Sequence, residues 1–129
     1  MKNLLIVDDN EEILDIYSRI LSPLNVKVFI TETGAEAIKI AKETDLFLTL
    51  LDIHLGNGMN GATLQEQIKI ISPMTINIAM SGYFESFSAV FLRTSGFDDM
   101  LEKPLTTKCL HGIVNYYKSV HDRWMNIIQ

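Results

Sequence analysis

The run Leu46-Phe47-Leu48-Thr49-Leu50-Leu51-Asp52 constrains the fold more than any other stretch of the chain. It is almost wholly apolar and does not alternate, so a strand built from it is buried on both faces, as in a parallel sheet covered by helices on each side. The run stops on a carboxylate. Ligands of open α/β sheets gather outside the carboxyl ends of the strands, which puts Asp52 in a crevice rather than in the core. Asp also favours turns, and on its own Asp52 signals no more than the start of one.

Apolar runs and segments of helical period alternate along the rest of the chain. Leu4 to Val7 reads as a first strand ending on Asp8 and Asp9, and Asn10 as the N-cap of a helix with Ile13, Leu14, Tyr17, Ile20 and Leu21 on one stripe. Pro23 stops that helix. Val26 to Ile30 is a β-branched second strand, and Thr33 or Gly34 opens a helix whose inner face is Ala37, Ile38, Ile40 and Ala41. After the Leu46–Asp52 strand, Gly61 to Ile71 is helical, with Leu64, Ile68 and Ile71 inward and Ser72-Pro73 as its end. Ile76 to Met80 is a fourth strand leading to Ser81-Gly82. Phe84 to Thr94 is a fourth helix with Phe87, Val90 and Phe91 inward, and Gly96 is its stop. Asp99 to Leu101 leads into Glu102-Lys103-Pro104, and a last helix follows with Leu110, Ile113, Val114, Tyr117, Val120, Trp124 and Ile127 or Ile128 on its stripe. Repeated βα units with right-handed crossovers predict a five-stranded, parallel, doubly wound sheet of the flavodoxin-like (βα)5 kind, in the α/β class.

The 129 residues fit one domain over 1–129, with the last helix extending beyond the core from about residue 118. A formal charge of −5 without a Lys/Arg cluster argues against binding nucleic acid or an anionic membrane, since phosphates need neutralising cations. The apolar start is too short for a signal peptide and nothing later approaches a membrane span, so the expected compartment is the cytoplasm. Cys109 is the single cysteine, which excludes an internal disulfide and a multi-cysteine zinc site.

The chemistry follows from where the reactive groups fall. Asp8 and Asp9 close the first strand, Asp52 the third, Ser81 the fourth and Lys103 the fifth, so all meet at one edge of the sheet. Clustered carboxylates repel unless a cation is present, and hard oxygen donors suit Mg²⁺ best. A hydroxyl and an ammonium opposite the ion then suit the remaining oxygens of a phosphoryl group held on Asp52.

Val7-Asp8-Asp9-Asn10, Leu51-Asp52-Ile53, Met80-Ser81-Gly82 and Glu102-Lys103-Pro104, in this order and spacing, resemble the receiver domain of two-component response regulators over nearly the whole chain to about Tyr117. The resemblance implies Asp52 as phospho-acceptor, forming an aspartyl phosphate. It implies Asp9, and Asp8 partly through water, as Mg²⁺ ligands together with the backbone carbonyl of His54. It assigns Ser81 and Lys103 to phosphoryl oxygens, with a cis bond at Lys103-Pro104. The implied donor is a phosphohistidine of a sensor histidine kinase or histidine phosphotransfer protein, and the implied output is a downstream protein that the sequence does not name. Such a domain catalyses its own phosphotransfer and dephosphorylation, with no independent small-molecule turnover.

Two features depart from the family pattern. The loop His54-Leu55-Gly56-Asn57-Gly58-Met59-Asn60-Gly61 lacks the usual proline and is one residue longer, and Met100 stands where many relatives carry a switching aromatic ring, which leaves Met100, Tyr83 or Phe84 for readout. Other signals are weaker. Gly56-x-Gly58-x-x-Gly61 matches a dinucleotide fingerprint, but it begins several residues after its strand, and Ser81 stands where a ribose-binding acid belongs. An Asp-nucleophile phosphatase usually needs a second acid two residues after the nucleophile, where this chain has His54. The tail beyond Tyr117 carries more apolar residues than one core needs, which suggests a partner or homodimer contact through the last helix, against the plainer reading of a folded-back or frayed end.

Overall fold

The computed structural model describes residues 1–55, 59–83 and 86–128, with only the backbone at 86–88. Gly56, Gly58, Phe84 and the Phe87 side chain therefore lie outside the described residues. The strands are β1 (Lys2–Val7), β2 (Val26–Thr31), β3 (Leu46–Asp52), β4 (Ile76–Ser81) and β5 (Asp99–Glu102). The helices are α1 (Glu11–Leu21), α2 (Gly34–Glu43), α3 (Gly61–Ile71), α4 (Ser86–Ser95) and α5 (Thr107–Ile128), with a short 3₁₀ turn at Ser22–Leu24 after α1. All strand pairs are parallel in the order β2-β1-β3-β4-β5, the expected doubly wound sheet.

Capping fixes where the helices begin. Asn10, Thr33 and Asn60 each take an extended backbone and accept an N–H three residues on, from Ile13, Glu36 and Thr63. Each side chain satisfies one orphan donor of a first helical turn. The start of α3 is set further by Gly61. A Cβ there would lie 2.5 Å from the Asp52 carbonyl oxygen and 2.7 Å from the Ile53 Cα, and the Gly61 N–H donates to the Ile53 carbonyl (3.3 Å). Only a residue without a side chain lets the helix start so close to the end of β3.

Both faces of β3 are buried along its whole length. Leu48 and Leu50 join α1 and α5 residues in one core cluster, with Leu14, Tyr17, Leu110 and Val114. Leu46 and Leu51 join the other, with Ala37, Leu64, Ile68 and Leu92. The second cluster encloses polar groups. Thr49 donates to the Asn77 side chain on β4 (2.5 Å), which pairs a hydroxyl with an amide out of water. Gln65 on α3 is fully buried, and its amide has no hydrogen-bond partner among the described residues.

One helix face differs from expectation. Val90 and Phe91 of α4 are 65% and 56% exposed, and Leu92 turns inward with Phe97. At the helix end Gly96 adopts φ +110, and a Cβ on it would stand 2.9 Å from the Gln65 Nε2, so the turn that ends α4 passes close to α3. The apolar period of α4 is satisfied by either setting, and packing selects the one that buries Leu92.

The long last helix is tied down well past Tyr117. Lys2 at the start of β1 donates to the His121 Nδ1 (2.8 Å) and pairs with Asp122 (2.7 Å), and the His121 ring meets Phe47 edge-on. Val120 packs on the first cluster, and Trp124, Ile127 and Ile128 are exposed.

Candidate functional site

The strand order reverses at the β1–β3 pair, because β2 lies outside β1 while β4 and β5 continue beyond β3. A crevice forms at such a reversal, since the helices following the two strands leave for opposite faces. The register Val7↔Leu51 sets Asp8 level with Asp52 on neighbouring strands. Strand topology alone thus delivers two carboxylates to the crevice side by side. Asp9, one residue on, is exposed at the rim.

Asp8 is fully buried and Asp52 nearly so. Burying a carboxylate is costly unless it is paired, and both are. The Asp8 Oδ1 accepts the Asn10 N–H (3.0 Å), and the Asp52 Oδ1 accepts the His54 N–H (2.8 Å). The Lys103 Nζ bridges the second oxygens, at 2.5 Å from Asp8 and 3.3 Å from Asp52. Burial pushes the Asp52 carboxyl above its usual range, against the His54 N–H and Lys103, which pull it down. Burial draws the Lys103 ammonium down, but hydrogen bonding and charge from Asp8, then Asp52, outweigh it and leave the lysine raised. Both directions describe one partly compensated site, in which charge and hydrogen bonding outweigh burial for Lys103 but not for Asp52.

One oxygen from each of Asp8, Asp9 and Asp52 can be chosen so that the three lie within 4.8 Å of one another. Three carboxylates against one ammonium leave two formal negative charges, and every donor is a hard oxygen. This donor set fits a divalent cation such as Mg²⁺, which uses few carboxylates and keeps several waters.

Lys103 reaches the crevice from β5. Its backbone N–H donates to the Ser81 carbonyl (2.7 Å), which continues the β4–β5 ladder, and the Lys103–Pro104 peptide is cis. Ser81 stands at the same edge, but its hydroxyl is engaged elsewhere. The Ser81 Oγ donates to the Tyr83 carbonyl (2.9 Å) and accepts the Tyr83 N–H (3.1 Å). The fold therefore brings Asp8, Asp9, Asp52 and Lys103 together directly, while Ser81 is near in topology with its hydroxyl turned into its own loop. His54 contributes its backbone N–H, and its side chain is exposed.

A family model described as the response regulator receiver domain matches residues 4–115. The chain belongs to the receiver domain family. A putative NtrX-like response regulator of Rickettsia bellii is 34% identical over 103 residues, covering 79% of this chain and 22% of that protein. The transcription factor SKN7 of Candida albicans is 29% identical over 113 residues, 88% of this chain and 20% of that one. The chain thus spans about a fifth of the length of these curated relatives. Among solved structures, a CheY-like receiver domain protein of Methanospirillum hungatei is 28% identical and covers 95% of this chain and 98% of its own, with a TM-score of 0.89. A Burkholderia pseudomallei response regulator, solved with a phosphorylated aspartic acid and a calcium ion, is 25% identical over 98% of this chain and 72% of its own, with a TM-score of 0.82. This receiver domain is a phosphorylation-dependent signalling switch of the two-component type. Neither the phosphatase nor the dinucleotide-binding alternative is favoured.

Several contributors to the receiver site have weak sequence signals. The Asn10 N–H that holds Asp8 belongs to a residue whose own sequence signal is that of a helix cap. Gly61, read first as part of a glycine pattern, spaces α3 from the strand that carries Asp52. Tyr17, one of several apolar-stripe residues on α1, packs in the cluster that holds Leu101 and Leu105, on either side of Lys103 in the chain.

Proposed function

We propose that Asp52 accepts a phosphoryl group from the phosphohistidine of a sensor histidine kinase or histidine phosphotransfer protein, with Mg²⁺ held by Asp8, Asp9, Asp52 and the His54 carbonyl. The observation that carries this is the placement of Asp52, nearly buried at the strand-order reversal, between the Lys103 ammonium and the carboxylates of Asp8 and Asp9. A carboxylate oxygen of Asp52 attacks phosphorus, the O–P bond forms as the P–N bond breaks, and the leaving imidazole takes up a proton. When bound, Mg²⁺ neutralises phosphoryl charge and orients its oxygens. Lys103 exchanges part of its resting bridge for a phosphoryl oxygen, and Ser81 serves another once its hydroxyl leaves Tyr83. The direct test is transfer from a small phosphodonor with Mg²⁺, read as one added phosphoryl mass on the intact protein and located by peptide mapping.

Asp9 is the exposed member of the trio and the one whose carboxylate no described cation neutralises. Asp9→Ala is expected to lower Mg²⁺ affinity more than about tenfold, since a reluctantly dehydrated ion loses a ligand with no substitute. Calorimetry reads this directly, and an unchanged affinity removes Asp9 from the ligand set.

Lys103 directly follows β5 in the chain and is tied to the end of β4 by its backbone bond to Ser81, so it links the phosphoryl position to β5. Lys103→Ala is expected to slow labelling by several-fold while abolishing the phosphorylation-dependent change in structure, because bound Mg²⁺ still offsets phosphate charge but nothing reports it to β5. Backbone amide spectra before and after labelling measure the second effect. A full spectral response in the variant would show that the reporter lies elsewhere.

The phosphodonor is made where ATP is, so this function places the domain in the cytoplasm. The downstream protein, or a second copy of the chain, docks on the end of α5, where Trp124, Ile127 and Ile128 are exposed. Truncation after Arg123 keeps His121 and Asp122 for Lys2 and removes those side chains. Self-association or partner binding is expected to fall while Asp52 labelling survives, and sedimentation with labelling checks both. Unaltered assembly and binding would exclude the tail as the interface.

A further inference from the structure

Past Val120, α5 leaves the core. Between residues 121 and 128 only His121 and Met125 are partly covered, and the other side chains are exposed. A helix end with so few apolar contacts opens at little cost unless something else holds it. The polar hold is one ammonium at the start of β1. The Lys2 Nζ lies 2.8 Å from the His121 Nδ1 and 2.7 Å from an Asp122 carboxylate oxygen, and it stands 5.6 Å from the centre of the Phe47 ring on β3. The His121 ring meets the same Phe47 edge-on, with 6.0 Å between centroids. The starts of β1 and β3 and the end of α5 are thus joined at the sheet edge opposite Asp52.

This arrangement fixes the protonation state of the imidazole. An ammonium offers protons and no lone pair, so the Nδ1 facing it must accept, and the ring is neutral with its proton on Nε2. A second proton on the ring would remove the acceptor and set two cations in contact, with one carboxylate to offset them. The charges that bear on the ring are Lys2 from β1 and Asp122 from α5 itself. Lys118, one turn earlier, is directed to the Leu24 carbonyl (2.9 Å). Phe47 of β3 is uncharged, Met1 and Asp45 border the same cleft, and the turn after α3 brings Ser72 and Pro73, which do not titrate. Burial, and then Lys2, push the imidazole below its ordinary 6.5, and Asp122 opposes them less strongly. An opened helix end therefore takes up the proton more readily than a closed one. The hold is complete above an ordinary histidine's range and is lost as pH falls from there through the lowered value. We propose that His121 is a proton-sensitive latch, whose neutral ring holds the end of α5 to Lys2 and Phe47 and whose protonation releases the segment 121–128 with Trp124, Ile127 and Ile128. The latch depends neither on what docks on that segment nor on phosphorylation of Asp52.

The test follows the full chain by NMR as pH is lowered from about 7.5 to about 5.5, a range that spans histidine titration. The His121 ring shifts give its midpoint, and the Cα shifts of residues 121–128 give the helix content of the segment. The expected result is a ring midpoint below 6.5 and a loss of most of the helical Cα shift over 121–128 with that same midpoint, while the core part of α5 up to Tyr117 keeps its own. His121→Gln retains an acceptor for the ammonium and cannot titrate, so its segment is expected to stay helical over the whole range. Lys2→Met removes the facing cation and is expected to move the ring midpoint up toward 6.5. A ring midpoint at or above 6.5 in the unsubstituted chain, or helical shifts that persist through its ring titration, would overturn the latch whatever the variants do. The same acid-dependent loss in His121→Gln would overturn it as well, by placing the trigger on another group.

Discussion

Asp52→Asn is expected to remove phosphoryl uptake entirely while leaving the domain folded and at least as stable in the absence of Mg²⁺. The amide is nearly isosteric and its oxygen still accepts the His54 N–H, so the local turn survives. What disappears is the nucleophile. Folded-state burial disfavours the Asp52 carboxylate, and its contacts with the His54 N–H and Lys103 only partly compensate. Replacing it by a neutral group relieves that desolvation, and Lys103 keeps Asp8 as its nearer partner. Intact-mass measurement with a phosphodonor and Mg²⁺ reads the first effect, and urea unfolding the second. A phosphoryl mass retained by Asp52→Asn would place the acceptor on another residue, whereas an unfolded variant would mean that the carboxylate is structural.

Gly61→Ala is expected to lower stability by about 1–3 kcal/mol and to slow labelling as well. Two effects compete at this position. Alanine in a helix is favoured over glycine by about 0.5–1 kcal/mol. The added Cβ, however, falls 2.5 Å from the Asp52 carbonyl oxygen and 2.7 Å from the Ile53 Cα, both backbone atoms with no side-chain freedom to yield. The clash wins, and what shifts to relieve it is the end of β3 that carries the acceptor. Gly112→Ala on α5, where a Cβ meets nothing within 4 Å, is the control and should gain the helix preference alone. Urea midpoints of the two variants moving in opposite directions would bear this out. Equal stability of Gly61→Ala and the unsubstituted protein would show that α3 can slide away from β3 at little cost.

The sequence by itself determined the layered α/β fold and the edge at which the chemistry gathers. The reason is that both rest on local, periodic information. A nearly unbroken apolar run such as Leu46 to Leu51 is satisfied between two layers of helices, and Asp8, Asp9, Asp52 and Lys103 fall at strand ends whatever the detailed packing. The helix starts at Asn10, Thr33 and Asn60 are likewise written locally, as side-chain oxygens three residues before an orphan N–H.

Tertiary structure alone decided what depends on neighbours distant in sequence. The sequence predicts Val90 and Phe91 on the inward face of α4, but the helical period permits more than one rotation, and tertiary packing buries Leu92 with Phe97 instead. Ser81 is at the expected strand end, yet the orientation of its hydroxyl is settled by the Tyr83 backbone. The bridging of Asp8 and Asp52 by a single ammonium joins the ends of β1, β3 and β5. No window of sequence contains those three elements together, and packing in three dimensions is what sets one lysine against both acids.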